Sequence, residues 1–184
     1  MQKTVYVFLT DNFEEIEAVT VIDILRRADI SVVTVSVTGS LFVVGSHAIE
    51  VKADVLFEDV DFSGGDAVVL PGGPGTPSYS KHLALMGLIR EYEGNGKLVA
   101  AICAAPTILA GLGLLDGKPA VCYDMNAFPP SVIHAKEHTV TCGNIITSKA
   151  AATAPHFALA IVEYLLGAET AKSVGDKMYY QLLI

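Results

Sequence analysis

The sequence predicts an α/β fold in which a largely parallel sheet is covered by helices on both faces. Short charge-free runs rich in β-branched residues alternate with longer amphipathic runs, the pattern of repeated strand–helix–strand units. Connections between parallel strands are almost always right-handed, so we expect a right-handed three-layer sandwich. The chain has 184 residues, of which 52% are hydrophobic. This suits one domain over residues 1–184 with a single large core.

The first predicted unit covers residues 4–37. Residues 4–9 and 31–37 are rich in β-branched and aromatic side chains and are predicted strands. Residues 13–27, which Asp11 or Asn12 can cap, carry glutamates first and arginines last, as the helix macrodipole favours. The apolar residues of this helix cover more than one face, and they are Ile16, Val19, Ile22, Ile24 and Leu25. One side can therefore pack on the sheet while another meets a second subunit, and we expect a homodimer.

The later elements are predicted by the same criteria. Residues 41–44 and 48–51 form a small hairpin at the edge of the sheet. The buried strands 66–70 and 98–102 flank a helix over residues 83–93. Beyond them we predict three short strands and two helices: strands 120–123, 139–142 and 145–147, and helices 154–166 and 169–183.

Composition and charge exclude several classes of partner. The chain has 12 basic and 20 acidic residues, a net charge of −8, which opposes nonspecific binding to nucleic acid or to an anionic membrane. Residues 98–115 are uncharged, but Pro106 makes a poor membrane span, and the amino terminus lacks a signal-peptide pattern. Three widely spaced cysteines suggest neither a disulfide framework nor a CxxC metal site. We therefore expect a cytoplasmic protein.

Cys103 lies at a predicted turn between a strand and a helix. Residues 98–102 form the buried strand, and Pro106 fits the first turn of a helix. Such a turn lifts a side chain out of the carboxyl edge of the sheet, and the start of the helix favours a thiolate. Cys103 is therefore a candidate nucleophile, although it can equally be a small buried hydrophobic residue. Cys122 and Cys142 lie in strand-like runs and are predicted to be packing residues.

Two other segments leave predicted strands at the same edge of the sheet. Residues 71–75 are Pro-Gly-Gly-Pro-Gly, a loop whose N–H groups can approach a ligand or an oxyanion, or which can be a plain tight turn. Residues 10–17 supply Glu14, Glu15 and Glu17, one of which can have a raised pKa in an apolar crevice. Spacing does not choose among the three. The histidine pair His134 and His138 lies in a loop-like region, and we expect no metal ion.

Three motifs at these separations resemble the DJ-one/ThiJ/PfpI superfamily, in particular its DJ-one-like branch. They are Glu-Glu-Ile-Glu at 14–17, Val-Leu-Pro-Gly-Gly at 69–73 and Ala-Ile-Cys-Ala-Ala-Pro at 101–106. The resemblance implies a flavodoxin-like sandwich, a homodimer and an oxidation-sensitive Cys103. It also implies that Glu17 is hydrogen-bonded to the sulfur and that the amides of Gly72, Gly73 and Ala104 form an anion-binding pocket.

The sequence departs from related enzymes at two positions. Proteases of the PfpI type carry a histidine directly after the cysteine, where this chain has Ala104. Some DJ-one-like members bring a histidine to the cysteine from the strand after the elbow helix, and Tyr123 occupies the matching place. Glutamine amidotransferases of related fold need a late His-x-Glu pair, which this sequence lacks. A Cys-His protease or amidotransferase is therefore disfavoured.

The resemblance implies an enzyme without a cofactor that acts on small reactive dicarbonyls or their adducts, as glyoxalases and deglycases do. Cys103 would attack the aldehyde and Glu17 would move protons. The alternative is a protein of the oxidative stress response, a sensor or chaperone-like protein in which Cys103 is oxidised to a sulfinate without turnover.

Overall fold

The computed structural model describes residues 2–180. Its strands are β1 (Thr4–Leu9), β2 (Ser31–Ser36), β3 (Phe42–Val44), β4 (Glu50–Lys52), β5 (Val55–Leu56), β6 (Ala67–Leu70), β7 (Leu98–Ile102), β8 (Pro119–Ala120), β9 (Ile133–His134), β10 (Thr139–Cys142) and β11 (Ile145–Ser148). Its helices are α1 (Glu15–Arg27), α2 (Pro77–Lys81), α3 (Leu83–Gly94), α4 (Pro106–Gly111), α5 (Ala154–Leu166) and α6 (Ala168–Lys177).

Within this part of the chain the main sheet has seven strands in the order β10-β11-β7-β6-β1-β2-β5. Every neighbouring pair is parallel except β10 with β11. Side chains of β1 alternate between two cores: Val5, Val7 and Leu9 pack with α1, α5 and α6, while Tyr6 and Phe8 pack with α2, α3 and α4. The predicted α/β fold, a mostly parallel sheet between two helical layers, is confirmed.

Helix α1 begins two residues later than predicted and has a different cap. The Glu14 side chain accepts a hydrogen bond from the backbone N–H of Glu17 at 2.8 Å. The predicted caps have other roles, because Asp11 accepts the N–H of Val44 and Asn12 is a left-handed turn residue with φ 61°. The cap prediction was wrong because the chain needs both residues to turn from β1 towards the helix.

The predicted hairpin is present as the antiparallel pair β3 and β4. It forms a two-stranded sheet of its own, and the edge of the seven-stranded sheet on that side is the short strand β5. The turn of the hairpin is hydrogen-bonded to the segment before α1, since the N–H of Asn12 donates to Val44 O and the N–H of Ser46 donates to Phe13 O. The hairpin thus supports the entry to α1.

The predicted strand over residues 120–123 is wrong beyond Ala120. The backbone N–H groups of the next three residues find partners outside a strand ladder: Val121 donates to Thr147 Oγ1, Cys122 to the Met125 sulfur and Tyr123 to Cys103 O. The chain therefore leaves β8 and wraps behind Cys103.

The end of the last predicted helix also differs. Helix α6 stops at Lys177, and Tyr179 has a left-handed backbone with φ 55°. The predicted end at residue 183 lies outside the described residues. Among residues 2–180, no helix combines the length and apolar character that a bilayer crossing requires.

Candidate active site

Cys103 follows β7 directly and occupies a strained backbone conformation. Its φ is 64°, a left-handed value that costs a non-glycine residue about 1–3 kcal/mol. Its N–H donates to Ser148 O at 2.9 Å, and its carbonyl accepts the N–H of Tyr123 at 2.7 Å. We call residues 102–106 the elbow. The elbow holds the partly exposed Cys103 side chain at the carboxyl edge of the sheet, as predicted.

Glu17 is the glutamate that lies beside Cys103. Its side chain is fully buried, and Oε2 accepts the Gly72 N–H at 2.8 Å. The Cys103 thiol interacts with the carboxyl group but makes no hydrogen bond of regular geometry to it. Glu17 Oε1 has no hydrogen-bond partner among the described residues. A Cβ added to Gly72 would lie 2.6 Å from Cys103 Cβ and 2.9 Å from Glu17 Oε2. The Gly72 backbone, the Cys103 side chain and the Glu17 carboxyl group therefore pack so closely that an added methyl group would not fit between them.

Burial raises the pKa of both groups of this pair, and the charge of Glu17 adds to the shift of the thiol. Burial raises the pKa of Glu17 to about 7, although interactions with Cys103 and the Gly72 N–H partly offset it. Burial, followed by the charge of Glu17, raises the pKa of the Cys103 thiol to about 12. The prediction of a thiolate favoured by the helix start is therefore wrong. Helix α4 has only six residues, and its small dipole does not outweigh burial.

The backbone amides predicted to form the anion pocket divide between two partners. Those of Gly73 and Ala104 face the Cys103 sulfur and favour its thiolate. That of Gly72 is directed at Glu17 instead. Gly73 has φ 103°, and a Cβ there would lie 2.5 Å from both Asn12 O and Glu14 N, so only glycine fits this close approach. The pocket of three amides remains a prediction.

Glu15 is not part of the pair with Cys103. Its carboxylate accepts hydrogen bonds from the backbone N–H of His47 and, at 3.1 Å, from the Ser46 hydroxyl. It also lies 2.9 Å from His47 Nδ1. Burial opposes ionisation of Glu15, but these hydrogen bonds outweigh it and hold its pKa at about 2. Glu15 thus fastens the hairpin to the start of α1.

The same region is where the described residues could hold a metal ion. Ligand atoms of Glu14, Glu15 and His47 lie within 4.8 Å of one another. Glu14 already caps α1 and Glu15 already binds the hairpin turn, so both carboxylates have structural partners. The predicted absence of a metal ion stays a prediction.

Two residues contact the Cys103 backbone, and only one of them, Tyr123, was indicated by the sequence. Tyr123 lies beside Cys103 through its backbone, while its side chain is 72% exposed. Ser148, which accepts the Cys103 N–H, received no role from the sequence. The signal that could have indicated it is the run Ile-Ile-Thr-Ser of β11, in which a serine ends a short β-branched strand. Cys122 is buried, in agreement with a packing role, and Cys142 is partly exposed.

Comparison with known proteins gives a consistent set of relatives. The family model described as "DJ-1/PfpI family" matches residues 3–164. Protein dj-1beta of Drosophila melanogaster is 37% identical, over 95% of this chain and 96% of the relative. The solved structure of oxidized Toxoplasma gondii DJ-1 is 36% identical and superimposes with a TM-score of 0.92, covering 96% of this chain and 98% of that one.

A more distant relative carries the name of an activity. The "Glutathione-independent glyoxalase DJR-1.2" of Caenorhabditis elegans is 29% identical, over 94% of each chain. The family model, the relative at 37% identity and the shared fold all span nearly the whole sequence, including the elbow and the Gly-rich loop. This chain belongs to the DJ-1/PfpI family.

Proposed function

We propose that this chain is a cysteine-dependent enzyme, working without a cofactor, that converts reactive dicarbonyls or their adducts as glyoxalases and deglycases do. The observation that carries the proposal is the buried Glu17, whose pKa of about 7 suits proton transfer near neutral pH beside a thiol that needs a base. The name of the Caenorhabditis elegans relative supports the same class of reaction.

The first step forms a bond between sulfur and carbon. The Cys103 sulfur attacks the aldehyde carbon of an α-ketoaldehyde while the Glu17 carboxylate accepts the thiol proton. The aldehyde oxygen gains the electron pair of its π bond, and the N–H groups of Gly73 and Ala104 are the donors that stabilise this charge. Glu17 then returns the proton to the oxygen, which gives a neutral hemithioacetal.

The second step moves a hydrogen between the two carbons. Glu17 removes the hydrogen of the former aldehyde carbon as a proton, and the freed electron pair forms a C=C bond to the ketone carbon, whose oxygen becomes anionic. Glu17 then delivers the proton to the ketone carbon, and the hydroxyl proton passes to the anionic oxygen, leaving a thioester. Water cleaves the C–S bond and releases an α-hydroxy acid and the thiol. The net change is the addition of one water molecule.

The test is product formation from methylglyoxal by four proteins: the parent, Cys103→Ser, Glu17→Gln and Cys142→Ser. We expect lactate from the parent and from Cys142→Ser, because the latter keeps the pair and loses only a distant thiol. We expect none from Cys103→Ser or Glu17→Gln, since each lacks one member of the pair. Consumption of methylglyoxal without lactate, equal in all four proteins, would indicate trapping by thiols and would refute the proposal.

A second candidate function is redox sensing, and the oxidized form of the Toxoplasma gondii relative favours it. Two equivalents of peroxide would convert the Cys103 thiolate to a sulfinate, with two water molecules released. The N–H groups of Gly73 and Ala104 would donate to the new oxygens. Mass spectrometry should then find two added oxygens at Cys103 after mild peroxide treatment. Clean oxidation together with absent lactate formation would favour sensing over catalysis.

The homodimer also belongs to the proposal, together with a cytoplasmic location that keeps the cysteines reduced. Helix α1 leaves Ile16 57% exposed and Val19 48% exposed, although its other apolar side packs in the core. A second copy covering this side would bury both residues. Light scattering of the parent and of Val19→Asp should show a dimer and a monomer, respectively. A monomeric parent would refute this part of the proposal.

A further inference from the structure

We propose that the buried Ser148 hydroxyl is a positioning group that holds the elbow in its strained, reactive form. The inference rests on the proposed role of Cys103 as the nucleophile, but not on the identity of the substrate. Ser148 would act on Cys103 through the backbone, without touching the reacting atoms.

The first step concerns the anchors of the Cys103 backbone. A left-handed φ of 64° persists only where neighbouring groups enforce it. The acceptor for the Cys103 N–H is the carbonyl of Ser148, a fully buried residue at the end of β11. The other anchor, Tyr123, belongs to an exposed segment. Ser148 is therefore the more rigid support of the turn.

The second step concerns what fixes Ser148. Its hydroxyl lies 2.8 Å from Thr139 Oγ1 and 2.7 Å from Thr153 Oγ1, and it contacts His138 O at 3.1 Å. One hydroxyl can donate once and accept twice, so three partners fill its capacity. Thr153 Oγ1 also accepts the N–H of Ala150. The network joins β10, β11 and the turn before α5 around one side chain.

The third step concerns the consequence for the sulfur. Without the Ser148 hydroxyl, the hydroxyls of Thr139 and Thr153 would face a methyl group, and the end of β11 would be free to shift. The Ser148 carbonyl would move with it, and the Cys103 backbone could relax from its left-handed conformation. The sulfur would then lose its alignment with the N–H groups of Gly73 and Ala104. The network thus bears on the reactivity of the thiol as well as on stability.

The experiment follows alkylation of Cys103 by iodoacetamide over a range of pH, read by peptide mass spectrometry. Ser148→Ala removes the central hydroxyl. Thr139→Val removes a neighbouring hydroxyl and keeps the side-chain shape, whereas Thr139→Ser keeps the hydroxyl and loses a methyl. Ser36→Ala is the matched control, since Ser36 is a fully buried serine at the end of β2 whose hydroxyl bonds to Thr38 Oγ1. Circular dichroism establishes that each variant is folded, and Thr139→Val tests the inference if Ser148→Ala is not.

We expect Ser148→Ala to slow alkylation at neutral pH by about tenfold and to raise its pH midpoint, the effect of roughly one lost hydrogen bond. Thr139→Val should act in the same direction, while Thr139→Ser and Ser36→Ala should behave as the parent. Lower melting temperatures with unchanged alkylation of Cys103 would indicate a purely structural network and overturn the inference. A parent in which Cys103 reacts no faster than the buried Cys122 would reject the nucleophile itself, and this inference with it.

Discussion

Replacement of Glu17 by Gln should stabilise the folded protein at pH 8 and change its stability much less at pH 5. Burial raises the pKa of the Glu17 carboxyl group from 4.5 to about 7, so ionisation of this group opposes folding. Gln has nearly the same shape and never carries the charge, and its oxygen can still accept the Gly72 N–H that Glu17 Oε2 accepts at 2.8 Å.

The sign and size of the effect follow from proton binding. Between pH 4.5 and about 7 the folded chain binds more protons at Glu17 than the unfolded chain does. Stability of the parent therefore falls as the pH rises through this interval and levels off above it. At about 1.4 kcal/mol per pKa unit, the full loss is about 3 kcal/mol at pH 8, and less than about 1 kcal/mol at pH 5. Gln removes this loss of stability. The net gain is smaller than the loss, because the NH₂ group of Gln would face sulfur, which is a weak hydrogen-bond acceptor.

Urea unfolding at both pH values measures the difference between the parent and Glu17→Gln. Glu91→Gln, on the exposed side of α3, controls for the removal of one negative charge. A free-energy difference between the parent and Glu17→Gln that is the same at pH 5 and pH 8 would show that Glu17 does not titrate between them.

Three further predictions concern the surroundings of the pair. Gly72→Ala should destabilise the fold by about 1–3 kcal/mol in urea unfolding, since its Cβ would lie 2.6 Å from Cys103 Cβ. The control is Gly87→Ala, whose Cβ meets nothing within 4 Å and which should stabilise α3. Equal effects of the two substitutions would contradict this prediction. Glu15→Gln should lower the melting temperature at neutral pH. The difference in melting temperature from the parent should shrink as the pH falls from 4.5 towards 2, because the pKa of Glu15 in the folded chain is held at about 2. A difference independent of pH would argue against the hydrogen-bonded carboxylate. Tyr123→Phe should leave alkylation of Cys103 unchanged, since the backbone of Tyr123 makes the contact; a slower rate would give its hydroxyl a part in the chemistry.

The central sheet was predictable because its inner strands carry their own signal. The residues of β6 and β7 are buried on both faces, and a parallel strand of this kind is a continuous apolar run in the sequence. The short strands β5, β8 and β9 have two residues each, too few to form a pattern. Residues 121–123 look like a strand in sequence, but the N–H groups of Val121 and Tyr123 bind partners distant in the chain, and that of Cys122 binds the Met125 sulfur.

The segments that form the candidate site were predictable from the sequence, but the role of each of several similar residues in them was not. A cysteine between a buried strand and Pro106 indicates an elbow from local sequence alone. Glu14, Glu15 and Glu17 share one short segment, and only tertiary packing makes the first a cap, the second a partner of the hairpin and the third the buried neighbour of sulfur. The pKa of the thiol was predicted in the wrong direction, since burial and the charge of Glu17 come from the fold.

The most direct test of the coupling between Glu17 and Cys103 is the ultraviolet absorbance of the Cys103 thiolate in the parent and in Glu17→Gln, each corrected by the same protein with Cys103→Ser. The charge of Glu17 helps to raise the pKa of the thiol to about 12, so its removal should lower the pH at which the thiolate forms. We therefore expect more thiolate in Glu17→Gln than in the parent at any pH between about 8 and 10. Equal thiolate in the two proteins would place the charge of Glu17 away from the sulfur and would leave Cys103 without its proposed base.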